Sequence, residues 1–376
     1  MDNITKFPPL HILPKKNTPT NPTEKPAFPL KNYLVNDSLA EMEAQMLRDV
    51  FVLDGIALLG QLTAIYAKPN AGKTLTTIYM LIESIKAGRI KGEDIFYINA
   101  DDSGNGLTAK VRIAVQYGFG MVAPSYEGFE SDHLVKHLKQ GIAEDTARGQ
   151  IVVLDTLKKF TDLMHKTKGS DFMKVAREFT LKGGTMIMLA HANKNRGADG
   201  KIVAGGTSDI GDDADCVYLL DEVSKTETTK TVLFDNAKKR GNNVQELSFS
   251  YAMSSKNYGE LLESVQMLDF ETTEKTKKDF IVNSQREKDV VVIEAIIDGI
   301  SQGEHKVADL RKFAMNKDNY GISRRKFDDV LDRYTGEKLS NSSLWRVQVG
   351  ERNSKIYYLL SVDNTTANEY ENAKNG

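Results

Sequence analysis

Short apolar segments alternate with amphipathic helical stretches through most of the chain. The strand candidates are apolar runs at residues 62–66, 94–100, 151–155, 185–190 and 216–220. Apolar residues at helical spacing lie between several of them, at residues 73–87, 104–117, 131–146 and 170–182. Continuous apolar strands separated by helices are typical of a parallel sheet covered on both faces, so the pattern predicts an α/β domain over residues 34–270. Two later β-like stretches, 229–237 and 244–252, are close enough to pair as a hairpin.

The pattern changes near residue 289. Three segments with helical spacing are followed by two short strand candidates around the polar turn ERNS. Three helices followed by a two-stranded hairpin suggest a winged helix, so the pattern predicts a small domain of this kind over residues 289–362. The charged stretch 271–288 is interpreted as the linker between the two domains.

The two ends of the chain differ in composition from the middle. Seven of the nine prolines fall between Pro8 and Pro29, among Lys, Thr and Asn. Such a stretch has too little apolar surface to fold alone, so residues 1–33 are predicted to be a disordered arm. The polar residues 363–376 are predicted to be a disordered tail.

Composition limits the location and the partners of the chain. No apolar run approaches the roughly 18 residues of a spanning helix, and the first residues lack a secretory signal pattern. We therefore expect a cytoplasmic protein with no membrane partner. The single cysteine, Cys216, excludes a disulfide framework and a cysteine-rich zinc site. The net charge of −2 gives no overall field that would attract DNA, so any such binding must use local basic patches.

The sequence AKPNAGKT lies between a strand candidate and a helix candidate, and its last three residues match the end of a Walker A phosphate-binding loop. In this motif Gly72 lets the backbone approach phosphates, Lys73 supplies charge to them, and Thr74 offers a hydroxyl to Mg²⁺. The pattern has glycine where this chain has Ala67, and the added methyl group restricts the backbone. We therefore predict that ATP and Mg²⁺ bind here. The predicted nucleotide-binding segment consists of Ala67, Lys68, Pro69, Asn70, Ala71, Gly72, Lys73, Thr74 and Leu75.

A second motif supports the first. The apolar strand IVVLD ends in Asp155, eighty-two residues after Lys73. A carboxylate at the carboxyl end of a strand beside the phosphate loop resembles a Walker B aspartate, which holds Mg²⁺ through a water or a hydroxyl. The predicted metal site therefore consists of Thr74 and Asp155.

Together these motifs resemble the RecA-like hexameric helicases, especially the plasmid RepA-type replicative helicases and their phage relatives. The resemblance covers about residues 50–252 and implies a RecA-like core. It also implies that Asp101, after the strand candidate 94–100, polarises the attacking water, with Asp102 as a second acid. The family usually has Glu here, and Asp withdraws the carboxylate by about 1.5 Å. The alternative is an Asp pair that caps the next helix.

The same resemblance assigns roles to three further segments. It implies that His191, at the end of a strand, senses the γ-phosphate, although a lone histidine is often structural. It implies that the loop 194–207 contacts DNA through Lys194, Arg196 and Lys201, although a solvated loop has the same composition.

It further implies that Lys238 and Arg240 reach the nucleotide of the neighbouring subunit, where the positive charge would neutralise the transferred phosphoryl group. The alternative is a basic hairpin turn. If the residues act on a neighbour, the active site is complete only in an oligomer.

The C-terminal segment contains its own basic cluster. Arg324, Arg325 and Lys326 begin the presumed second helix of a helix-turn-helix, where they would meet phosphates or base edges of DNA. Winged helices also dock proteins, so this alternative stays open.

The preferred hypothesis is an oligomeric, Mg²⁺-dependent ATPase that acts on DNA, with a single strand in the channel of a hexameric ring. A contact of duplex DNA with the winged helix is a further option. A replicative helicase or translocase of a phage, plasmid or related element fits these features. The alternatives are a DNA-binding ATP switch, such as an initiator or helicase loader, and a filament-forming recombination ATPase.

Overall fold

The structure is a computed structural model that describes residues 28–40, 49–160, 166–197, 200–206, 208–316, 318–340 and 342–360. Residues 1–49 and 50–376 form separate units. In the first, the described residues form two short 3-10 helices, Pro29–Tyr33 and Asn36–Ser38. Most of the predicted arm 1–33, and all of the predicted tail 363–376, lie outside the described residues.

A nine-stranded, mainly parallel sheet organises the second unit. It is preceded by a small antiparallel pair, β1 (Phe51–Leu53) and β2 (Ala57–Leu58). The strands of the large sheet are β3 (Leu62–Ala67), β4 (Ile95–Asn99), β5 (Gly120–Val122), β6 (Ile151–Asp155), β7 (Thr185–His191), β8 (Cys216–Lys225), β9 (Thr229–Lys238), β10 (Glu246–Ala252) and β11 (Gln266–Leu268). Their spatial order is β11-β10-β9-β8-β3-β7-β6-β4-β5. The strands from β8 to β5 in this order are parallel, and β9, β10 and β11 continue the sheet in antiparallel fashion.

Helices cover both faces of this sheet. They are α1 (Lys73–Lys86), α2 (Gly104–Tyr117), α3 (His133–Ala143), α4 (Lys166–Leu181), α5 (Ser208–Asp213) and α6 (Tyr258–Glu263). Alternate residues of β3 enter two different cores, because successive side chains of a strand point to opposite faces. Residues of α1 and α2 pack in one core, and residues of α3, α4 and α5 pack in the other. The predicted α/β class with a mainly parallel sheet is confirmed.

The C-terminal part begins with the long helix α7 (Phe270–Ser301). The stretch 271–288, interpreted from its charge as a linker, lies inside this helix, where Lys277 Nζ is 2.6 Å from Glu246 Oε2 of β10. The later half of α7 packs with α8 (Val307–Met315), α9 (Arg324–Arg333), β12 (Trp345–Val349) and β13 (Lys355–Leu359) around a third core. The two strands form an antiparallel hairpin. Three helices and a hairpin are therefore present, while the winged-helix interpretation and the predicted domain boundaries stay predictions.

Candidate nucleotide site

Four residues that are polar or that the sequence predicts to belong to the site lie at one edge of the sheet, where the parallel strands end. In the register of the sheet, Ala67 pairs with His191, and Asn99 pairs with Asp155. Strand β7 lies between β3 and β6, so the phosphate loop and Asp155 are two strands apart. Loops and side chains that follow strand ends at such an edge form the usual ligand crevice of open α/β sheets.

The loop between β3 and α1 has the backbone that its glycine requires. Gly72 precedes α1 with φ of 85°, in the left-handed region that favours glycine. A Cβ atom there would lie 2.5 Å from the hydroxyl of Tyr251, so both conformation and space select glycine. Asn70, with φ of 59°, is of a residue type that tolerates this region. Ala67 ends β3, fully buried and without positive φ, so its methyl group is accommodated in an ordinary strand.

Lys73, Thr74 and Asp155 meet at the start of α1. Lys73 Nζ lies 3.4 Å from Asp155 Oδ1, and the two side chains are 8% and 1% exposed. The Thr74 hydroxyl donates a hydrogen bond of 2.7 Å to Asp155 Oδ2. A carboxylate so deeply buried needs a paired cation and hydrogen-bond donors, which these two residues supply. The structure therefore brings together the three residues on which the predicted ATP and Mg²⁺ site depends.

Tyr97 completes this cluster and was not a sequence candidate. Its hydroxyl donates a hydrogen bond of 2.8 Å to the same Asp155 Oδ2 that accepts from Thr74. Burial, and then the nearby Asp155 carboxylate, raise the pKa of Tyr97 well above its ordinary value, so the phenol keeps its proton. A tyrosine within an apolar strand predicts a core residue. Tyr97 can bond to Asp155 only because β4 and β6 are adjacent strands in the sheet.

Replacing Tyr97 with Phe is expected to lower the free energy of unfolding by about 1.5–3 kcal/mol, the range for a hydrogen bond to a charged group. Urea unfolding of the two proteins measures the change. Tyr218→Phe is the comparison, because that buried hydroxyl donates to the neutral carbonyl of Val244 and its loss is expected to cost only about 1 kcal/mol. Equal losses for the two variants would contradict a special role for the Asp155 bond.

The acidic pair after β4 divides into two environments. Asp102 accepts hydrogen bonds from Asn99 and from Lys110, whose side chain is 9% exposed. Burial by itself would raise the pKa of Asp102, but the bonds from Lys110 and Asn99 lower it below its ordinary value. Asp101 is exposed, and no hydrogen bond or ion pair of its carboxylate with the described residues is present. Asp102 is thus held in place by Lys110 and Asn99, and Asp101 remains the candidate for contact with water or ligand.

His191 lies at the end of β7 with unsatisfied ring nitrogens. Both Nδ1 and Nε2 are buried, and neither has a hydrogen-bond partner among the described residues. Burial, and then the positive charges of Lys158 and Lys73, lower its pKa below the ordinary value, so the ring is neutral at neutral pH. Since buried polar atoms are normally paired, two orphaned nitrogens beside Lys73 are an expected feature of a ligand site.

The loop after His191 is held against the sheet by its own basic residues. Arg196 forms an ion pair with Asp221 of β8, with an Nη2–Oδ1 distance of 3.0 Å, and Lys201 lies 2.6 Å from Asp235 of β9. Lys194 is exposed. Of the predicted loop 194–207, residues 198, 199 and 207 lie outside the described residues. Two of the three predicted DNA contacts are therefore paired within the chain.

The far side of the phosphate loop is contacted by residues that no motif indicated. Lys230 of β9 donates a hydrogen bond of 2.8 Å to the carbonyl of Asn70 and pairs with Glu222 at 2.7 Å. The hydroxyl of Tyr258 is buried without a partner among the described residues, and the Lys110 ammonium lies 5.1 Å from its ring centre. The antiparallel strands and α6 thus close one side of the site.

Lys238 and Arg240 lie at the opposite edge of the sheet. Lys238 Nζ donates hydrogen bonds of 2.8 and 2.5 Å to the carbonyls of Gly211 and Asp212 in α5. Arg240 lies 3.3 Å from Asp215, which bonds to Leu62 at the amino end of β3. The phosphate loop follows the carboxyl end of the six-residue β3, about 17 Å away at the usual rise per residue. Neither residue lies near the candidate phosphate site of its own chain.

The basic residues at the start of α9 are accessible. Arg324, Arg325 and Lys326 are all exposed, directly after Ser323, which precedes the helix. Arg324 lies 3.7 Å from Asp328, one helical turn later. Exposed cations at a helix start fit contact with an acidic partner, and their ligand stays a prediction.

Comparison with known proteins yields no matching protein family and no curated protein of significant similarity. In the described part of the chain, no cluster of three or more His, Cys, Asp or Glu side chains has the geometry of a metal site. No helix of that part is long and apolar enough to cross a membrane.

Proposed function

We propose that this chain is a Mg²⁺-dependent ATPase with a RecA-like core. The observation that carries the proposal is the buried cluster of Lys73, Thr74 and Asp155 at the carboxyl edge of a parallel sheet. A lysine and a carboxylate in contact at this point, directly after a loop without room for a side chain at Gly72, fit a nucleoside triphosphate better than a purely structural role.

The start of α1 has the donors that a phosphate needs. The N–H groups of Lys73, Thr74 and Leu75 lie in the first helical turn, where no earlier carbonyl is available, and they donate to no backbone acceptor among the described residues. The positive end of the helix dipole adds to the charge of Lys73. The residues present therefore fit a triphosphate.

The same residues fit Mg²⁺. The Thr74 hydroxyl and the Asp155 carboxylate, 2.7 Å apart, are oxygen ligands of the kind that Mg²⁺ prefers, the carboxylate directly or through water. When bound, Mg²⁺ neutralises charge on the phosphate oxygens and so favours phosphoryl transfer to water. Tyr97 holds the Asp155 carboxylate in position, Asp101 is proposed to orient the attacking water, and His191 is proposed to contact the terminal phosphate.

We further propose that the protein works as an oligomer, a hexameric ring, on DNA. Arg240 and Lys238 lie at the edge of the sheet far from their own phosphate loop, which supports a role at the neighbouring subunit's nucleotide. The exposed Arg324, Arg325 and Lys326 support a nucleic-acid contact by a winged-helix-like region. A replicative helicase or translocase combines these features.

A second candidate function is a DNA-binding ATP switch, such as an initiator or a helicase loader. The observation that favours it is the pairing of Arg196 with Asp221 and of Lys201 with Asp235, because those charges are neutralised within the chain. A translocating loop needs them for the phosphates of DNA. An ATP-dependent strand-displacement assay distinguishes the two, since a switch binds DNA without unwinding it.

The first test is ATP turnover with and without single-stranded DNA, in the unchanged protein and in Lys73→Ala. We expect turnover that DNA stimulates, and a loss of about 100-fold or more in the variant, because a buried charge that stabilises the transferred phosphate is removed. Lys86→Ala, at the exposed end of the same helix, is the matched control and is expected to keep full turnover. ATP binding without turnover under both conditions would favour the switch, and no ATP binding at all would refute the proposal.

A further inference from the structure

Two arginines share one carboxylate at the amino edge of the sheet. Asp215 Oδ1 lies 2.5 Å from Arg177 Nη1 and 3.3 Å from Arg240 Nη1. Its other oxygen accepts a hydrogen bond of 3.1 Å from the N–H of Leu62. The Asp215 side chain is 9% exposed, so it is a largely buried charge that needs a cation.

The two arginines are held unequally. Arg177, on α4, makes the shorter contact and its side chain is 35% exposed. Arg240 makes the longer contact and its side chain is 55% exposed. Arg177 alone therefore satisfies the buried carboxylate, and the more exposed Arg240 can leave without stranding a charge.

The backbone of Arg240 is fixed independently of its side chain. The side-chain amide of Gln61 donates a hydrogen bond of 2.6 Å to the Arg240 carbonyl. A guanidinium on a fixed backbone position can therefore exchange one anionic partner for another by a change of side-chain rotamer.

We propose that Asp215 is a holding site for the Arg240 guanidinium within each chain, and that Arg177 permits its release to the triphosphate of a neighbouring copy. The inference rests on the proposed function, in which Arg240 acts on a neighbour. Asp215 and Arg177 are positioning residues, because Asp215 contacts Arg240, Arg177 contacts Asp215, and the cluster lies at the edge of the sheet opposite to the loop between β3 and α1.

Removal of Arg177 is expected to trap Arg240. In Arg177→Met the buried Asp215 keeps Arg240 as its one arginine partner among the described residues, so the guanidinium is held more tightly in its own chain. ATP turnover at saturating protein and ATP is expected to fall about tenfold, within the range for coupled groups of one ion-pair network. ATP affinity is expected to stay unchanged. Lys174→Met, an exposed position on the same helix, is the control and is expected to keep full turnover.

Two measurements separate this trapping from damage to the fold. Adding Asp215→Asn to Arg177→Met removes the charge that holds Arg240 and is expected to restore turnover. Mixing Arg177→Met with Lys73→Ala is also expected to raise turnover above either protein alone, since Lys73→Ala subunits offer a free Arg240 to intact phosphate sites. The mixing result stands even if the double variant does not fold.

The inference and the proposed function fail in different ways. Unchanged turnover in Arg177→Met, or no recovery in the mixture, overturns the holding site. Full turnover in Arg240→Ala, together with loss of turnover in Lys73→Ala, also overturns it but leaves the ATPase in place. No turnover in the unchanged protein overturns both.

Discussion

Asp155→Asn is expected to reduce ATP turnover by about 100- to 1,000-fold while leaving nucleotide binding largely intact. The carboxylate is 1% exposed and accepts from Lys73, Thr74 and Tyr97. Asn has one acceptor oxygen in place of two, and its amide would point a donor at one of these three donors. The negative charge that would hold Mg²⁺ is also lost. Binding is expected to persist, because Lys73 and the N–H groups of the first turn of α1 remain.

Turnover and binding are measured separately for this variant, the first by phosphate release and the second with a fluorescent ATP analogue. Asp132→Asn is the control, because that side chain is 85% exposed and lies outside the cluster. Turnover of Asp155→Asn at the level of the unchanged protein would exclude Asp155 from the chemistry. Loss of binding together with loss of folded structure by circular dichroism would instead indicate a structural role.

Gly72→Ala is expected to weaken ATP binding by at least about tenfold. The left-handed backbone at this position costs a residue with a Cβ atom about 1–2 kcal/mol. The new Cβ atom would also lie 2.5 Å from the Tyr251 hydroxyl and 2.9 Å from the ring, closer than atoms pack. We expect the loop to move away from the buried Tyr251 side chain of β10, which would misalign the N–H groups proposed to bind the phosphates.

Gly88→Ala separates the effect of the left-handed backbone from the effect of the close contact with Tyr251. Gly88 lies just beyond α1 with φ of 67°, but no atom lies within 4 Å of its Cβ position. In Gly88→Ala the backbone strain is expected to lower the free energy of unfolding by about as much as it does in Gly72→Ala, about 1–2 kcal/mol. ATP binding by Gly88→Ala is expected to be normal. Comparable binding by both variants would mean that the contact between Gly72 and Tyr251 does not shape the site. Isothermal titration with ATP, beside thermal unfolding, measures both quantities.

Much of the core could be predicted because its signals are local. Residues 151–154 are all apolar, and a continuous apolar run of this kind indicates a strand that is buried on both faces. Gly72 lies between β3 and α1, and Lys73 and Thr74 begin α1, which is the setting that a Walker A motif requires. The resemblance of Asp155 to a Walker B aspartate implied that it lies close to Lys73, and the two side chains do meet.

Tertiary contacts add to what the local signals indicate. Charge favoured a linker over 271–288, which stays a prediction; the structure adds that the segment is helical and that Lys277 pairs with Glu246 of β10 and with Glu274 of the same helix. Ala67 departs from the glycine of the motif, yet the structure has this residue in an ordinary buried strand, where a methyl group fits. The composition of a segment indicates whether it is exposed to solvent, but not which other elements of the fold it contacts.

The sequence by itself indicated the α/β class, the main strands and helices of the large sheet and a candidate phosphate loop, because these depend on residue periodicity and on contiguous motifs. Three contacts are decided by the tertiary structure alone. Tyr97 donates a hydrogen bond to Asp155, and Lys230 donates one to the carbonyl of Asn70. Asp215 forms ion pairs with both Arg177 and Arg240. Partners in these contacts are separated by between 25 and 160 positions. Such pairs depend on the order and register of strands in the sheet, which long-range packing sets and no local pattern records.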